Sequence, residues 1–213
     1  MSNRLRIGVL AAAALALASS TASATSPPAD EGGGTIAVVT HGQAADPFWS
    51  VFKRGVDDAA AQMGVTATYS APATFDMTEM ASLIDAAVAT GPAGLVVSVP
   101  DFPALQASLA AATEAGLPII TVNAGSEHYQ EIGAITHIGQ DEIIAGRGAG
   151  ARLAEGGATH LLCIHHEQGN LSLDARCQGA GEAIEEAGGT MEIVQVDLND
   201  AAGITSTVSA TLQ

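Results

Sequence analysis

From Thr35 onward, short runs of apolar and β-branched residues alternate with longer segments whose apolar positions recur every three or four residues. Residues 36–40 (Ile-Ala-Val-Val-Thr) have the pattern of a strand covered on both faces. Asp46 and Pro47 open a helix, because Asp caps free N–H groups and Pro suits the first helical position. Phe48, Val51, Phe52, Val56 and Ala59 then recur at helical spacing, and Gly64 ends the segment. The same reading predicts strands over 66–71, 94–100, 118–123, 135–139, 159–165 and 191–197. It predicts helices over 76–90, 103–115, 142–155 and 172–187, with a last one from Ala201 onward. Regular alternation at this spacing implies βαβ units and a doubly wound, parallel α/β fold. In such folds ligands sit beyond the C-terminal ends of the strands. The residues that follow Thr40, Val99, Val122, His165 and Val196 are therefore the places to look for chemistry.

The N-terminus follows a different pattern. Arg4 and Arg6 precede an uninterrupted apolar run over 7–18, and Ala22-Ser23-Ala24 offers a small-x-small cleavage site. This reads as an export signal over 1–24, cleaved near Ala24. The run is too short for a bilayer-spanning helix, and no Cys follows it for lipid attachment. The expected location is the periplasm. Residues 25–34, rich in Pro and Gly, read as a flexible leader.

Charge narrows the partners. The chain has 23 acidic and 7 basic residues, a net charge of −16. A surface this negative repels phosphate backbones and excludes nucleic acid as a partner. Aromatic residues, at 3%, are too few for a stacking surface.

The strand ends carry polar groups of specific kinds. After the first strand come Asp46, Phe48 and Trp49, an acid and two aromatics at a helix start. Aromatic rings stack on the C–H faces of a sugar and a carboxylate accepts from its hydroxyls. The alternative is that Asp46 only caps and the rings only pack. Trp49 is the single Trp of the chain. Asn123 ends the fourth strand and can both donate and accept, which suits a polyol as well as a plain turn. Arg176, near the start of a later helix, either reaches into a cleft as a planar fork or forms a surface ion pair. His165, His166 and Glu167 are adjacent, so their side chains diverge, and no other residue has metal-ligand spacing; no metal and no cofactor is expected. Gly146, Gly148 and Gly150 lie inside a helical pattern, which points to close packing rather than a nucleotide loop. No nucleophile is paired with a base, so the chain does not read as an enzyme. Cys163 and Cys177 are the only cysteines, and an oxidising compartment favours their pairing; two separate buried thiols are the alternative.

Together these residues resemble periplasmic sugar-binding proteins of the ribose-binding type, the substrate-binding components of sugar ABC transporters. The likeness is carried by Asp46-Pro47-Phe48-Trp49 with Lys53-Arg54-Gly55-Val56-Asp57-Asp58, by Gly94-Leu95-Val96-Val97-Ser98, and by Gly116-Leu117-Pro118 through Asn123. It continues through His137-Ile138-Gly139-Gln140-Asp141, Gln168-Gly169-Asn170 and Arg176-Cys177-Gln178-Gly179. The resemblance implies two α/β domains that close on a sugar about a hinge, here a domain over 35–138 and a second over 139–213. The first hinge crossing falls near Gly139-Gln140-Asp141. It implies that Asp46 binds hydroxyls, that Phe48 and Trp49 sandwich the ring, and that Arg176 grips from the opposite domain. The resemblance also implies a further contact from the turn Asp197-Leu198-Asn199-Asp200.

Two departures stand out. The family's strand-end acid and the Arg after it are here Asn123 and Ala124, which turns the expectation away from ribose itself. The sequence also stops at Gln213, inside a helical pattern, so the second domain is expected to be truncated. The implied function is binding of a simple sugar or polyol and delivery to an ABC importer permease, by a monomer. Presentation of the sugar to a chemoreceptor, or an exported enzyme on the same fold, are the alternatives.

Overall fold

The computed structural model describes residues 33–42 and 46–212. The export signal and most of the leader lie outside the described residues. The first strand, β1 (Thr35–Val39), begins where the sequence pattern places the start of the folded part. Helix α1 (Pro47–Met63) returns the chain to β2 (Thr66–Ser70), and α2 (Met77–Ala89) leads to β3 (Gly94–Val97). Then come α3 (Phe102–Glu114), β4 (Ile119–Asn123), a single turn α4 (Tyr129–Ile132) and β5 (Thr136–Gly139). All five strands are parallel, in the order β2-β1-β3-β4-β5. The chain runs outward from β1 to β2, then crosses back to β3 and proceeds the other way. The crevice between β1 and β3 is therefore the switch point at which such sheets bind ligands.

Apolar side chains of β1 and β3 meet those of α2 and α3 in the core. Leu95, Val97, Met80, Ile84, Leu105 and Leu109 are fully buried there. Each such side chain contributes about 1.5–3 kcal/mol of transfer free energy. Acidic caps start the helices: Asp46, Asp76 and Asp101 accept from the first free N–H groups of α1, α2 and α3. The strand expected to reach Pro100 ends as β3 at Val97. Its ladder goes on for two bonds, Ser98 N–H to the Val39 carbonyl and Val99 N–H to the Ala124 carbonyl, before Pro100 removes the next donor. The short α4 has no periodic apolar face and left no sequence signal.

After Gly139 the chain enters a second parallel sheet. Helix α5 (Glu142–Glu155), capped by Asp141, precedes β6 (His160–His165); α6 (Leu171–Glu186), capped by Asn170, precedes β7 (Thr190–Gln195); α7 (Ala201–Thr211) follows. Strands β6 and β7 pair in parallel from His160–Thr190 to His165–Gln195. The glycines of α5 serve close packing, as expected. A Cβ at Gly146 or Gly150 would collide with the α6 backbone at Arg176 or Ala180, and one at Gly179 with the Ile143 carbonyl. Cys163 of β6 and Cys177 of α6 form a disulfide with Cα atoms 5.8 Å apart. The two sheets meet at their strand ends, where the Leu171 N–H donates to the Pro100 carbonyl at 2.8 Å.

Candidate functional site

Between the strand ends of the two sheets lies a cleft of about 1290 Å³. One wall begins with the turn after β1. The Tyr69 hydroxyl lies 2.6 Å from Thr40 Oγ1, and both hydroxyls are 2.9 Å from the Gly42 carbonyl oxygen. This fixes Gly42 against the Trp49 indole, where any Cβ would overlap the ring. His41 sits at the β1/β3 switch point. Its N–H donates to Ser98 Oγ at 2.9 Å and its Nδ1 lies 2.8 Å from the same oxygen. Burial, with His166 nearby, pushes the His41 imidazole down to about 3, so it is neutral at physiological pH. Burial likewise raises the Tyr69 phenol.

All five residues singled out in the sequence line this cleft: Asp46, Phe48, Trp49, Asn123 and Arg176. Their surroundings differ from expectation in three ways. Asp46 does cap α1, Oδ1 accepting from Phe48 N–H at 2.8 Å and Trp49 N–H at 3.3 Å, and it faces the cleft as well. Phe48 and Trp49 do not form parallel walls. Their rings stand edge to face, centroids 5.1 Å apart and planes at 82°, so no slot for a sugar ring opens between them. Adjacent positions on a helix point about 100° apart, which is the reason. Trp49 is 6% exposed, held edge-on by His41 and Phe52, whereas Phe48 is 58% exposed. Arg176 is not a free fork: its Nε donates to Glu142 Oε2 at 2.6 Å, and that partner is buried, which the surface-pair alternative did not foresee.

Asn123 ends β4 with φ 62°, the one described non-glycine residue in the left-handed region. A side chain held there costs conformational energy, and such strain gathers at binding sites.

The opposite wall includes residues that the sequence left without a role. Glu167, first weighed only as a metal ligand, enters the cleft with His166, Gln168 and Asn170. Its Oε2 accepts from Asn170 Nδ2 at 2.6 Å and lies 3.7 Å from His41 Nε2, across the junction of the two sheets. Burial raises its carboxyl above the usual range, against the pull of Asn170, His166 and His165. The strand-end rule could have found His41 and Glu167, since each follows its strand within two residues. Asp197, Leu198, Asn199 and Asp200, the turn after β7, line the same space. Among the described residues no three His, Cys, Asp or Glu side chains converge as metal ligands.

No curated protein matches the chain. Among solved structures, a carbohydrate transporter from Acidothermus cellulolyticus 11B, in complex with myo-inositol, is similar at 37% identity with a TM-score of 0.79. It covers 84% of this chain, which spans 61% of its length. An ABC sugar transporter (periplasmic sugar binding protein) from Legionella pneumophila is similar at 25% identity and TM-score 0.79, over 84% of this chain and 66% of that one. A sugar-binding protein of a sugar ABC transporter from Bacillus halodurans follows at 25% identity and TM-score 0.65, over 84% and 61%. The chain thus spans less than two thirds of these relatives' length. The family described as periplasmic binding protein domain matches residues 36–213. With that match over nearly all described residues, and with two parallel sheets meeting at a ligand-sized cleft, the chain belongs to the periplasmic binding proteins.

Proposed function

We propose that this protein binds a simple sugar or polyol in the cleft and delivers it to the permease of an ABC importer, acting in the periplasm as a monomeric binding protein and not as an enzyme. The observation that carries this is the convergence of strand ends from both sheets on one cleft. It is furnished with carboxylates, amides and aromatic rings, and the one hydroxyl beside an imidazole there, Ser98 against His41, is fully buried behind the lining and out of reach of a ligand. The two sheets act as jaws, 35–138 and 139–213, about a hinge at Gly139-Gln140-Asp141. Asp46, Phe48 and Asn123 contact the ligand from the first jaw and Arg176 from the second. The order of motifs from Asp46-Pro47-Phe48-Trp49 to Arg176 supports the ribose-binding type, while Asn123-Ala124 in place of an acid and an Arg supports a ligand other than ribose. The 37%-identical relative holding myo-inositol supports a cyclic polyol or hexose.

Thermal-shift screening against a panel of sugars and polyols tests the reading, because a ligand that binds only the folded state raises the apparent melting temperature. A concentration-dependent rise with one sugar or polyol is expected. A panel of amino acids or peptides that shifts the protein while no sugar does would overturn it.

A further inference from the structure

The cleft is charged in a way that sugar binding alone does not use. Asp46, Glu142, Glu167, Asp197 and Asp200 line it, against Arg176 as the single Lys or Arg among its lining residues. Arg176 is engaged by Glu142, and His41 is kept neutral by burial. The remaining carboxylates are not equivalent. Asp46 and Asp200 are helix caps, and Asp197 accepts from the backbone and side-chain amides of Asn199. Glu167 differs from these. Its side chain is 15% exposed, and its Oε1 has no donor within hydrogen-bond distance among the described residues; His166 Nε2 is 3.9 Å away.

The only basic groups that face this carboxylate are imidazoles, His41 at 3.7 Å, His166 at 3.9 Å and His165, and none of them is within hydrogen-bond distance; a largely desolvated carboxylate with no Lys or Arg beside it is unfavourable as it stands. The charge of Asp46, from the other wall, adds to burial in raising the Glu167 carboxyl. Both costs are relieved by a ligand that brings a positive group. An independent feature points the same way: Phe48, Trp49 and Phe75 line the same cleft, and aromatic faces attract a cation that leaves water. A carboxylate oxygen in want of a donor, in a cleft that also holds aromatic rings, is the chemistry that holds a protonated amine. A uronate or sugar phosphate would instead bring negative charge to a wall where carboxylates outnumber the one guanidinium, whose Nε is already held by Glu142.

We propose that Glu167 determines the specificity of the cleft, and that the preferred ligand is an amine-bearing polyol, an amino sugar or amino cyclitol, over its uncharged parent and over acid sugars. This rests on the cleft being a sugar site. The uncharged parent uses the same hydroxyl contacts and binds less tightly, while acid sugars are excluded.

Calorimetry on the purified protein with matched probes tests this: glucose, glucosamine, glucuronate and glucose 6-phosphate, and myo-inositol with scyllo-inosamine. In at least one series the amine is expected to bind about tenfold more tightly than its parent, and the acid forms to give no binding heat. Amine affinity should rise with pH, up to neutrality, as Glu167 ionises. Glu167→Gln keeps an acceptor for Asn170 but removes the charge. It should bring amine and parent to within about twofold of each other and abolish the pH dependence of the amine's affinity. Should that variant not fold, the wild-type ranking of the probes decides by itself. Parent bound as tightly as amine, or an acid form bound at all, overturns the role of Glu167 while leaving the sugar site standing. No heat from any probe overturns the sugar site and this inference with it.

Discussion

Arg176 of α6 donates through Nε to Glu142 of α5 at 2.6 Å, and the two ends of this pair are unequally placed: Glu142 is 2% exposed, Arg176 43%. The pair spans the α5–α6 interface just where Gly146 and Gly179 let the helices approach. Its carboxylate has little access to water and depends on Arg176 and on Gln140, whose Nε2 donates to it at 3.1 Å. Arg176→Ala should therefore destabilise the protein without any ligand, by about 2–4 kcal/mol, since it leaves a buried charge without its cation. Glu142→Gln should cost less and free the guanidinium for the cleft. Urea unfolding of both variants checks this; an Arg176→Ala protein as stable as wild type would show that the pair contributes only to binding.

The disulfide Cys163–Cys177 closes a short loop, 14 residues apart in sequence. Cross-linking at that separation restricts the unfolded chain by about 3 kcal/mol. Reduction, or Cys163→Ser with Cys177→Ser, should lower the melting temperature by several degrees, since about 1 kcal/mol moves a domain of this size by roughly 2–4 °C. Calorimetric scans with and without reductant, together with thiol counting under denaturing conditions, measure it. Two reactive thiols in the untreated protein would remove the bond from the account.

What was legible in the sequence follows from which forces are local. The apolar strand runs, the helical periodicity and the cap at Asp46 act over a few residues, so the order of elements could be read directly; the caps at Asp76, Asp101 and Asp141 came with the structure. Asp46 and Asn123 were legible because parallel strands put their C-terminal ends at one edge. The His41–Ser98 contact and the approach of Glu167 to His41 were not. They depend on β3 lying beside β1 and on the β6–α6 turn meeting that edge, neither of which is written in a local pattern. The partner of Arg176 was hidden for the same reason: Glu142 lies 34 residues away on another helix.

His41 makes stability depend on pH. In the fold its imidazole stays neutral down to about 3, whereas the unfolded side chain takes up a proton near 6.5. Between those values the unfolded state binds more protons, so stability falls as the pH drops through this window, by up to about 1.4 kcal/mol per pH unit. Glu167 acts in the opposite sense: its raised carboxyl keeps a proton longer in the fold, so its contribution is lost as pH rises above the ordinary carboxylate value. His41→Gln removes the first effect and leaves the second. Urea midpoints measured over this range should decline on acidification in the wild type and decline less in the variant. Parallel profiles would show that His41 is accessible to protons in the folded state.

Asn123 separates stability from binding. Its φ of 62° is unfavourable for any residue with a Cβ and free of strain for glycine. Asn123→Gly should hold stability within about 1 kcal/mol of wild type, while removing a side chain that can donate and accept in the cleft. Sugar affinity should then fall by about 1–2 kcal/mol. Asn123→Ala should lose both, because the strain stays and the amide goes. Melting curves and titrations on the two variants check it; unaltered affinity in Asn123→Gly would take Asn123 out of the site.

Phe48 and Trp49 divide the roles that their adjacency suggested they share. Trp49 is buried beneath the turn at Gly42, edge-on to His41, Phe48 and Phe52, so its indole belongs to the wall itself. Removing it opens a large cavity, and Trp49→Ala should destabilise the protein by about 3–5 kcal/mol. Phe48 is exposed at the mouth of the same cleft and has little packing to lose. Phe48→Ala should leave stability within about 0.5 kcal/mol and weaken sugar binding by about 1–2 kcal/mol, through the lost ring face. The indole also reports the event. Trp49 touches both Phe48 and His41, so a sugar that packs on Phe48 should change the indole emission in the wild type and change it less in Phe48→Ala. Full affinity in Phe48→Ala, or an emission change of equal size in both proteins, would place the sugar elsewhere in the cleft and leave Phe48 as an ordinary exposed ring.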